Sequence, residues 1–260
     1  MGIRLENARR LYLEAIQDGN AAAAINKYAG ERYTQHSTPV KDGKAGFIEF
    51  FEEFLQRNPV RDIKIVRGFE DGPFVFLHVT QSLNNGEFRY VTADIFETDR
   101  DGKMIEHWDM ITELVDDTTS GHTQVDGPTE PTDLHKTELN KKLVREFLHE
   151  VLQKGNYEKV TDYLSTETYI QHNPQIGDGL AGLSTFVNSL TEQGLSMTYE
   201  DIHLVIGSGN FVASLSKMNL GGTEMAVIDL FRVDAGRIVE HWDVMEEIQP
   251  ADQWVNSGKF

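Results

Sequence analysis

Apolar residues recur along this chain at two different spacings. In residues 7–17 and 45–55 they recur every three or four positions, which predicts amphipathic helices, and residues 21–29 predict a shorter helix between them. Further along, apolar positions alternate in runs separated by Gly- and Asn-containing turns, which predicts strands. The predicted strands cover residues 63–66, 74–79, 88–96 and 104–114.

The second half of the chain repeats this plan. Its predicted helices cover residues 140–153, 157–164 and 180–192, and its predicted strands 197–206, 210–219, 223–233 and 237–247. Three helices followed by antiparallel strands indicate an α+β layout, in which a curved sheet closes over a helix. Such a layout predicts a cavity between the sheet and the helices.

Three motifs occur in both halves, in the same order and at nearly the same offset. They are Tyr-x-Gln-His at 33–36 and 169–172, Asp-Gly-x-x-Gly at 42–46 and 178–182, and Glu-His-Trp-Asp at 106–109 and 240–243. We interpret this as a tandem duplication. The predicted divisions are a first domain at 1–115, a linker at 116–137, a second domain at 138–250 and a tail at 251–260.

Composition and charge exclude several classes of function. The formal net charge of −18 argues against nucleic acid as a partner, because phosphate binding depends on Lys and Arg. No apolar run approaches the roughly 18 residues of a membrane span, and charges occupy the place of a signal-peptide core, so we expect a soluble, cytoplasmic protein. The absence of cysteine excludes disulfides and thiol chemistry.

The order of these motifs resembles the SnoaL-like polyketide cyclases of the nuclear-transport-factor-2-like superfamily, above all their aldol-condensation branch. Residues 169–174, 178–182, 229–232 and 238–244 follow the pattern of that branch almost letter for letter. The first half departs at Ser37-Thr38, where the second has Asn173-Pro174, and at Glu97, where the second has Arg232. The resemblance covers both halves and leaves out the linker and the tail.

This resemblance implies two tandem cone-shaped α+β barrels, each with three helices packed on a curved, mostly antiparallel sheet. Such barrels commonly pair through their sheets, so we expect the halves to form an intramolecular pseudo-dimer, with or without further homodimerisation. The resemblance also implies a pocket that uses an Asp/His pair without a metal or an organic cofactor. The superfamily includes isomerases, dehydratases, epoxide hydrolases and binding modules, so fold transfers better than function.

Aspartates on the predicted strands are the first candidates for chemistry. Closing an aldol ring needs a base that removes a proton beside a carbonyl group, and an Asp in an apolar pocket suits this role because desolvation raises its pKa. Asp94 and Asp229 lie mid-strand among apolar residues. Asp109 and Asp243 share a strand face with the motif histidines, His107 and His241. In the alternative interpretation, these carboxylates accept hydrogen bonds and only fix the sheet.

Other candidates are the histidines of the Tyr-x-Gln-His motif, His36 and His172, which we expect at the pocket mouth either as catalysts or as structural residues. His78 aligns with Ser214, and Phe74 with Asn210, so the two pockets are predicted to differ. If turnover requires His78, only the first half is active.

Aromatic residues of the motifs are candidates for ligand contact. These are Tyr33, Tyr169, Trp108 and Trp242. The tryptophans lie on the opposite strand face from the Asp/His pair, which favours a core or dimer face over stacking on a substrate. A rival set for metal binding is His36, His107 and Asp109, but no closely spaced histidine pair supports it, and we expect no metal.

The sequence therefore predicts a protein that binds a small, largely apolar carbonyl compound. The expected activity is cofactor-free general acid/base chemistry of cyclase, isomerase or lyase type. The alternative is a non-catalytic ligand-binding or dimerisation module of the same fold.

Overall fold

The computed structural model describes residues 2–260, and the chain divides into two compact units. Unit 1 comprises the residues up to Leu114 together with Ile248–Phe260, and unit 2 comprises Val115–Glu247. The segment predicted as a free linker is therefore part of unit 2, and the predicted tail is part of unit 1.

Unit 1 contains three helices and five strands. Their bounds are α1 Ile3–Tyr12, α2 Ala21–Tyr28, β1 Ala29–Gln35, α3 Gly43–Arg57, β2 Arg61–Asp71, β3 Phe74–Leu83, β4 Phe88–Thr98 and β5 Met104–Glu113. A π-helical turn, Leu13–Gln17, continues α1. Short 3₁₀ turns lie at Asn84–Gly86 and Ala251–Gln253.

Unit 2 repeats this order of elements. Their bounds are α4 Thr137–Phe147, α5 Val160–Tyr163, β6 Ile170–Gln171, α6 Gly179–Glu192, β7 Met197–Ser208, β8 Phe211–Leu220, β9 Thr223–Asp234 and β10 Arg237–Glu247. A π-helical turn, Leu148–Gln153, again continues the first helix of the unit. Turns of 3₁₀ helix precede α4 at Leu134–Lys136 and α5 at Tyr157–Lys159. The repeated π-helical turn adds a structural detail to the duplication that the sequence predicts.

The sheets of the two units have the same topology. In unit 1 the strand order is β1-β5-β4-β3-β2, and in unit 2 it is β6-β10-β9-β8-β7. The four long strands of each sheet are antiparallel neighbours, whereas the short first strand pairs in parallel with the last. The α+β fold is therefore confirmed. The strand β1 is not predicted, because its polar residues form a strand through pairing with the distant β5 rather than through local pattern.

The Asp-Gly-x-x-Gly motif joins the first strand of the sheet to the helix that covers it. The Asp42 carboxylate accepts a hydrogen bond from the backbone N–H of Gln35 at 2.8 Å. Gly43 has φ +80°, and a Cβ at Gly46 would lie 2.2 Å from the backbone oxygen of Lys41. Both glycines are thus required, one for a left-handed turn and one for close backbone approach. Unit 2 repeats this geometry.

An apolar core lies between the helices and one face of each sheet. In unit 1 it includes Leu11, Ile25, Phe47 and Leu77, all of which are buried. None of the helices in residues 2–260 is both long enough and apolar enough to cross a bilayer.

Candidate functional site

The Glu-His-Trp-Asp motif divides its four side chains between the two faces of the last strand. Successive residues of a strand point to opposite sides, so His and Asp lie on the helix-facing side and Glu and Trp on the other. The register agrees, because Asp109 pairs with Asp94 and Asp243 pairs with Asp229 across the neighbouring strand. The motif therefore makes two sets of contacts, one on the outer face of the sheet and one on the face toward the helices.

On the outer side of unit 2, His172 binds a surface segment that we call the linker strap, residues 119–126. The ring stacks on Trp242 with centroids 4.5 Å apart. Its Nε2 lies 2.9 Å from the Glu240 carboxylate, and its Nδ1 lies 2.7 Å from the backbone oxygen of Thr123 and 2.8 Å from the Asp126 carboxylate. Both ring nitrogens therefore have polar partners, one in the sheet and one in the linker strap. His172 is thus an anchor for the strap.

Unit 1 repeats this anchor with a different segment, which we call the tail strap, residues 255–259. His36 stacks on Trp108 with centroids 4.9 Å apart, and its Nε2 lies 2.9 Å from the Glu106 carboxylate. Its Nδ1 lies 2.7 Å from the backbone oxygen of Gly258. In both units, the first motif histidine holds a strap rather than facing the helices.

On the helix-facing side of unit 2, a buried network surrounds Asp229. His241 Nε2 lies 3.1 Å from one carboxylate oxygen, which also accepts the hydroxyl of Tyr199 at 3.0 Å. The other oxygen accepts the hydroxyl of Ser214 at 3.0 Å. Asp229 is therefore fully satisfied, as a buried carboxylate must be.

The hydrogen bonds of Gln171 fix the protonation of His241. The Oε1 atom of Gln171 accepts backbone N–H groups from His172 and Asn173, both at 2.9 Å, so it is an acceptor toward His241 Nδ1 at 3.0 Å. His241 Nδ1 carries a proton, and the contact from Nε2 to Asp229 must hold a second one. Burial lowers the pKa of His241. The hydrogen bond to Asp229 and the charges of Asp243 and Asp229 raise it by more than burial lowers it, so the pKa lies above its ordinary value.

Asp243 is the carboxylate that this network leaves facing the interior. One donor, the side-chain amide of Asn173, reaches its two oxygens at 3.0 and 2.8 Å. Burial raises the pKa of Asp243, the charge of Asp229 adds to that, and His241 and the Asn173 amide oppose it, with a net rise. A carboxylate with a raised pKa is a stronger base near neutral pH.

Asp243 and His241 line an apolar cavity between α6 and the sheet of unit 2. The cavity volume is about 80 Å³. Its polar lining consists of Gln171, Asn173, Gln175 and the tyrosines, and the remainder is aliphatic and aromatic. No lysine or arginine is among the described residues that line it.

Tyr169 is the second candidate for chemistry in this cavity. Its hydroxyl accepts the Gln171 side-chain amide at 3.4 Å, and within residues 2–260 its own proton has no acceptor. Burial and the charges of Asp243 and Asp229 raise the pKa of Tyr169, so it stays protonated. The cavity therefore contains a carboxylate base and a hydroxyl donor.

The equivalent network in unit 1 uses different partners. His107 Nε2 lies 2.9 Å from Asp94, and Nδ1 lies 3.0 Å from Gln35, as in unit 2. Asp94 accepts the Thr92 hydroxyl at 2.8 Å, and Thr92 in turn accepts the hydroxyl of Tyr12 at 3.0 Å. Burial raises the pKa of Asp94, and the hydrogen bond from His107 opposes this.

Larger side chains occupy the interior of unit 1. Phe47 and Phe51 stand where the repeat places Leu183 and Val187, and their rings lie 4.4 Å apart. Tyr33 packs against Phe47 edge to face at 5.9 Å, and its hydroxyl oxygen has no hydrogen-bond partner among the described residues.

Of the predicted site residues, the structure brings together Asp94, His107 and Asp109 in unit 1, and Asp229, His241 and Asp243 in unit 2. The expected position of His36 and His172 at the pocket mouth is wrong, because both rings lie on the outer side of the sheet against tryptophan. Trp108 and Trp242 lie there too, away from the cavity. Tyr169 lines the cavity as predicted.

The predicted alignment of His78 with Ser214 is also wrong. His78 pairs with Ala93, whereas Ser214 pairs with Asp229, so the residue that corresponds to Ser214 is Leu77. Strand β7 has two bulges where β2 has one, so β7 contains one extra residue that shifts the alignment. A shift of one residue moves a side chain to the other sheet face. His78 is therefore on the outer face, where its Nδ1 lies 2.9 Å from Arg67. Phe74 corresponds in the same way to Phe211 rather than Asn210.

Each Asp-His-Asp set also brings together three atoms of the types that ligate metals, all within 4.8 Å of one another. The rival set with His36 is not assembled, since His36 faces the strap. In unit 2, protein donors already occupy these atoms, because Tyr199 and Ser214 bind Asp229 and Asn173 binds Asp243. This donor set suits proton chemistry better than a cation.

Several site residues escape the sequence analysis. Gln171 is part of a repeated motif, so its recurrence is a signal that could have identified it as the partner of His241. Asn173 could have been identified as a position at which the two halves differ, because the first half has Ser37 there. Tyr199 and Lys259 carry no such signal, because β7 differs from its counterpart strand and Lys259 lies outside the repeat.

Comparisons with known proteins agree with this architecture. A family model described as a SnoaL-like domain matches two regions, residues 8–107 and 144–241. A comparison with curated protein sequences gives no match.

Three solved structures similar to this chain each cover less than half of it. One is provisionally described as a polyketide cyclase from Bacillus cereus ATCC 10987, with 18% identity, TM-score 0.37, and coverage of 42% of this chain and 73% of that one. Another, provisionally described as a ketosteroid isomerase from Kribbella flavida DSM 17836, has 18% identity, TM-score 0.37, and coverage of 44% and 83%. A nuclear-transport-factor-2-like protein of unknown function from Cytophaga hutchinsonii ATCC 33406 has 21% identity, TM-score 0.33, and coverage of 46% and 95%.

Proposed function

Because the chain belongs to the SnoaL-like domain family, which matches both of its halves, we propose that unit 2 binds a small neutral carbonyl compound and removes a proton beside the carbonyl group. One observation carries the proposal: a partly buried carboxylate, a buried imidazole and a tyrosine hydroxyl line the same apolar cavity. Proton abstraction needs a base, and a stabilising donor for the enolate oxygen.

Asp243 is the base in this proposal. Its raised pKa brings its proton affinity closer to that of a carbon acid than an exposed aspartate would have. The proton passes from the substrate carbon to Asp243, the electron pair moves to the carbonyl oxygen, and the resulting enolate is reprotonated at carbon. No electron acceptor or donor is required.

Tyr169 and His241 stabilise the enolate. The free hydroxyl proton of Tyr169 donates to the developing oxygen anion, while Gln171 orients the hydroxyl from the other side. Both protons of His241 are engaged by Gln171 and Asp229, so this ring acts through its positive charge.

The lining of the cavity indicates the class of substrate. A substrate with a carboxylate or phosphate group needs a cation to offset its charge, and the described lining has no lysine or arginine. The lining therefore favours a neutral substrate. The cavity of about 80 Å³ is smaller than the roughly 150 Å³ that holds benzene, so a ring-sized ketone requires it to widen. No residue of α6 is buried, so we expect this helix to be the wall that moves when the cavity widens.

Proton exchange into a model ketone tests the proposal. Acetophenone in D₂O should exchange its methyl protons faster with the protein than in buffer, as followed by proton NMR. Asp243→Asn should reduce the rate at least 100-fold, and Tyr169→Phe at least 10-fold, because these variants remove the base and the donor. A wild-type rate equal to that of buffer, across a panel of neutral aryl and alkyl ketones, would contradict the proposal.

A non-catalytic binding module is the second candidate. The Asn173 amide binds both oxygens of Asp243, and a carboxylate held in this way can serve to fix the cavity wall. Binding without exchange would favour this function. Methyl NMR shifts at Met197, Met218 and Met245, which all line the cavity, report binding directly.

A further inference from the structure

The carboxylates Asp109 and Asp243 occupy the same strand position in the two repeats, yet their polar neighbours differ. Asp243 is bound by the neutral amide of Asn173. The repeat places Ser37 at the position of Asn173, and Asp109 lies instead beside Lys259 of the tail strap.

Asn173 is held firmly in one orientation. Its backbone N–H donates to Gln171 Oε1 at 2.9 Å, and its side-chain oxygen accepts the backbone N–H of Gln175 at 2.9 Å. The side-chain nitrogen is therefore the end that faces Asp243, and both of its contacts there are donations. Such an arrangement positions the carboxylate without neutralising its charge.

Lys259 is held equally firmly in unit 1. Its side chain is 2% exposed, its ammonium group donates to the backbone oxygen of Asp109 at 2.9 Å, and it lies 3.6 Å from Asp109 Oδ1. Asn256 fixes the strap by donating to the backbone oxygens of Ser37 and Val40 at 2.7 and 2.8 Å. His36 binds the backbone of the same strap.

Oδ1 of Asp109 is buried and accepts no hydrogen bond from residues 2–260. The ammonium of Lys259 is thus the charge that compensates this atom, because a buried carboxylate oxygen without a donor is costly unless a cation lies close. Asp109 therefore has its counter-ion within the protein, whereas Asp243 is held by a neutral amide.

We propose that Asn173 is the positioning residue that presents Asp243 to the cavity, and that Lys259 takes its place in unit 1 and holds Asp109 in an internal ion pair, so that unit 2 alone transfers protons. This inference rests on the proposed function for the site in unit 2. The larger aromatic residues inside unit 1 are consistent with it, because a unit that binds no ligand can fill its interior.

Two matched sets of variants in the full chain test the inference. Asn173→Ser gives unit 2 the residue that unit 1 has, and Asp243→Asn removes the base. Lys259→Met and Asp109→Asn make the corresponding changes in unit 1. Three quantities are measured for each: acetophenone exchange against pH, methyl NMR shifts on adding acetophenone, and ¹³C NMR titration of the aspartate carboxyl carbons.

Asn173→Ser should raise the pKa of Asp243, because the amide that it removes stabilises the carboxylate. It should shift the pH profile of exchange upward and reduce the rate at least 10-fold at pH 7, while acetophenone still shifts the methyl signals of Met197 and Met218. Lys259→Met and Asp109→Asn should leave the exchange rate within 2-fold of wild type. They should also leave the pKa of Asp243, read from its carboxyl-carbon titration, unchanged. If Asp109→Asn does not fold, Lys259→Met supplies the comparison.

Three results would overturn the inference. They are an unchanged Asp243 titration in Asn173→Ser, a 10-fold loss of exchange in Lys259→Met at unchanged melting temperature, or acetophenone shifts at Met104 in the unit 1 core equal to those in unit 2. If wild type shows no exchange, the proposed function fails, but the titration and the methyl shifts still decide whether the units differ as proposed.

Discussion

The cavity in unit 2 predicts the effect of filling it with a residue that unit 1 carries. Val187 lines the cavity, and the repeat places Phe51 at the same position in unit 1. Val187→Phe should therefore abolish acetophenone binding and exchange. Since residual cavity volume costs about 24 cal/mol per Å³, filling all of the 80 Å³ would stabilise unit 2 by up to about 2 kcal/mol.

Thermal and denaturant unfolding measure this stability, and methyl NMR at Met197, Met218 and Met245 measures binding. For a domain of this size, 2 kcal/mol corresponds to a rise of up to about 8 °C in melting temperature. Leu190→Phe is the matched control, because Phe54 is its counterpart and Leu190 does not line the cavity, so binding should persist. Retained binding in Val187→Phe, or destabilisation by more than about 1 kcal/mol from overpacking, would contradict this prediction.

Three further predictions concern stability and association. In urea unfolding, unit 2 should lose stability as the pH rises from the unfolded pKa of Asp243 through its raised native pKa, because ionising Asp243 costs more in the native state. The raised pKa of His241 adds a loss of stability as the pH rises through its native pKa. Asp243→Asn should make this dependence shallower, and an unchanged slope would contradict the prediction. His172→Ala should destabilise unit 2 by about 3 kcal/mol in thermal unfolding, because it leaves the 1% exposed Glu240 with fewer partners, whereas a change below about 0.5 kcal/mol would show that the linker strap is not anchored there. Light scattering should give a mass near 29.4 kDa, that of a single chain, and twice that mass would show homodimerisation.

The sequence predicts the fold better than it predicts the site. The spacing of apolar residues predicts the six helical segments and the eight long strands, because each of them has its own periodic pattern within a short stretch of sequence. The short strands β1 and β6 are missed, since they depend on pairing with β5 and β10 far along the chain. The shift of one residue before β8 is invisible without the sheet register, and it led to the mistaken pairing of His78 with Ser214.

The repeated motifs identify the candidate site residues, but they do not show which sheet face or which neighbouring segment each side chain contacts. Alternation along β5 and β10 correctly separates the Asp/His pair from the tryptophans, because it is a property of the strand itself. The role of the first motif histidine depends on which segment covers it, and the straps come from parts of the chain with no repeat signal. The same reason hides Lys259.

The most direct test of the account is proton exchange by paired aspartate variants. Acetophenone methyl protons are followed in D₂O for the wild type, Asp243→Asn and Asp109→Asn. Exchange should fall at least 100-fold in Asp243→Asn and stay within 2-fold of wild type in Asp109→Asn. Equal rates for wild type and Asp243→Asn, or equal losses in the two variants, would contradict it.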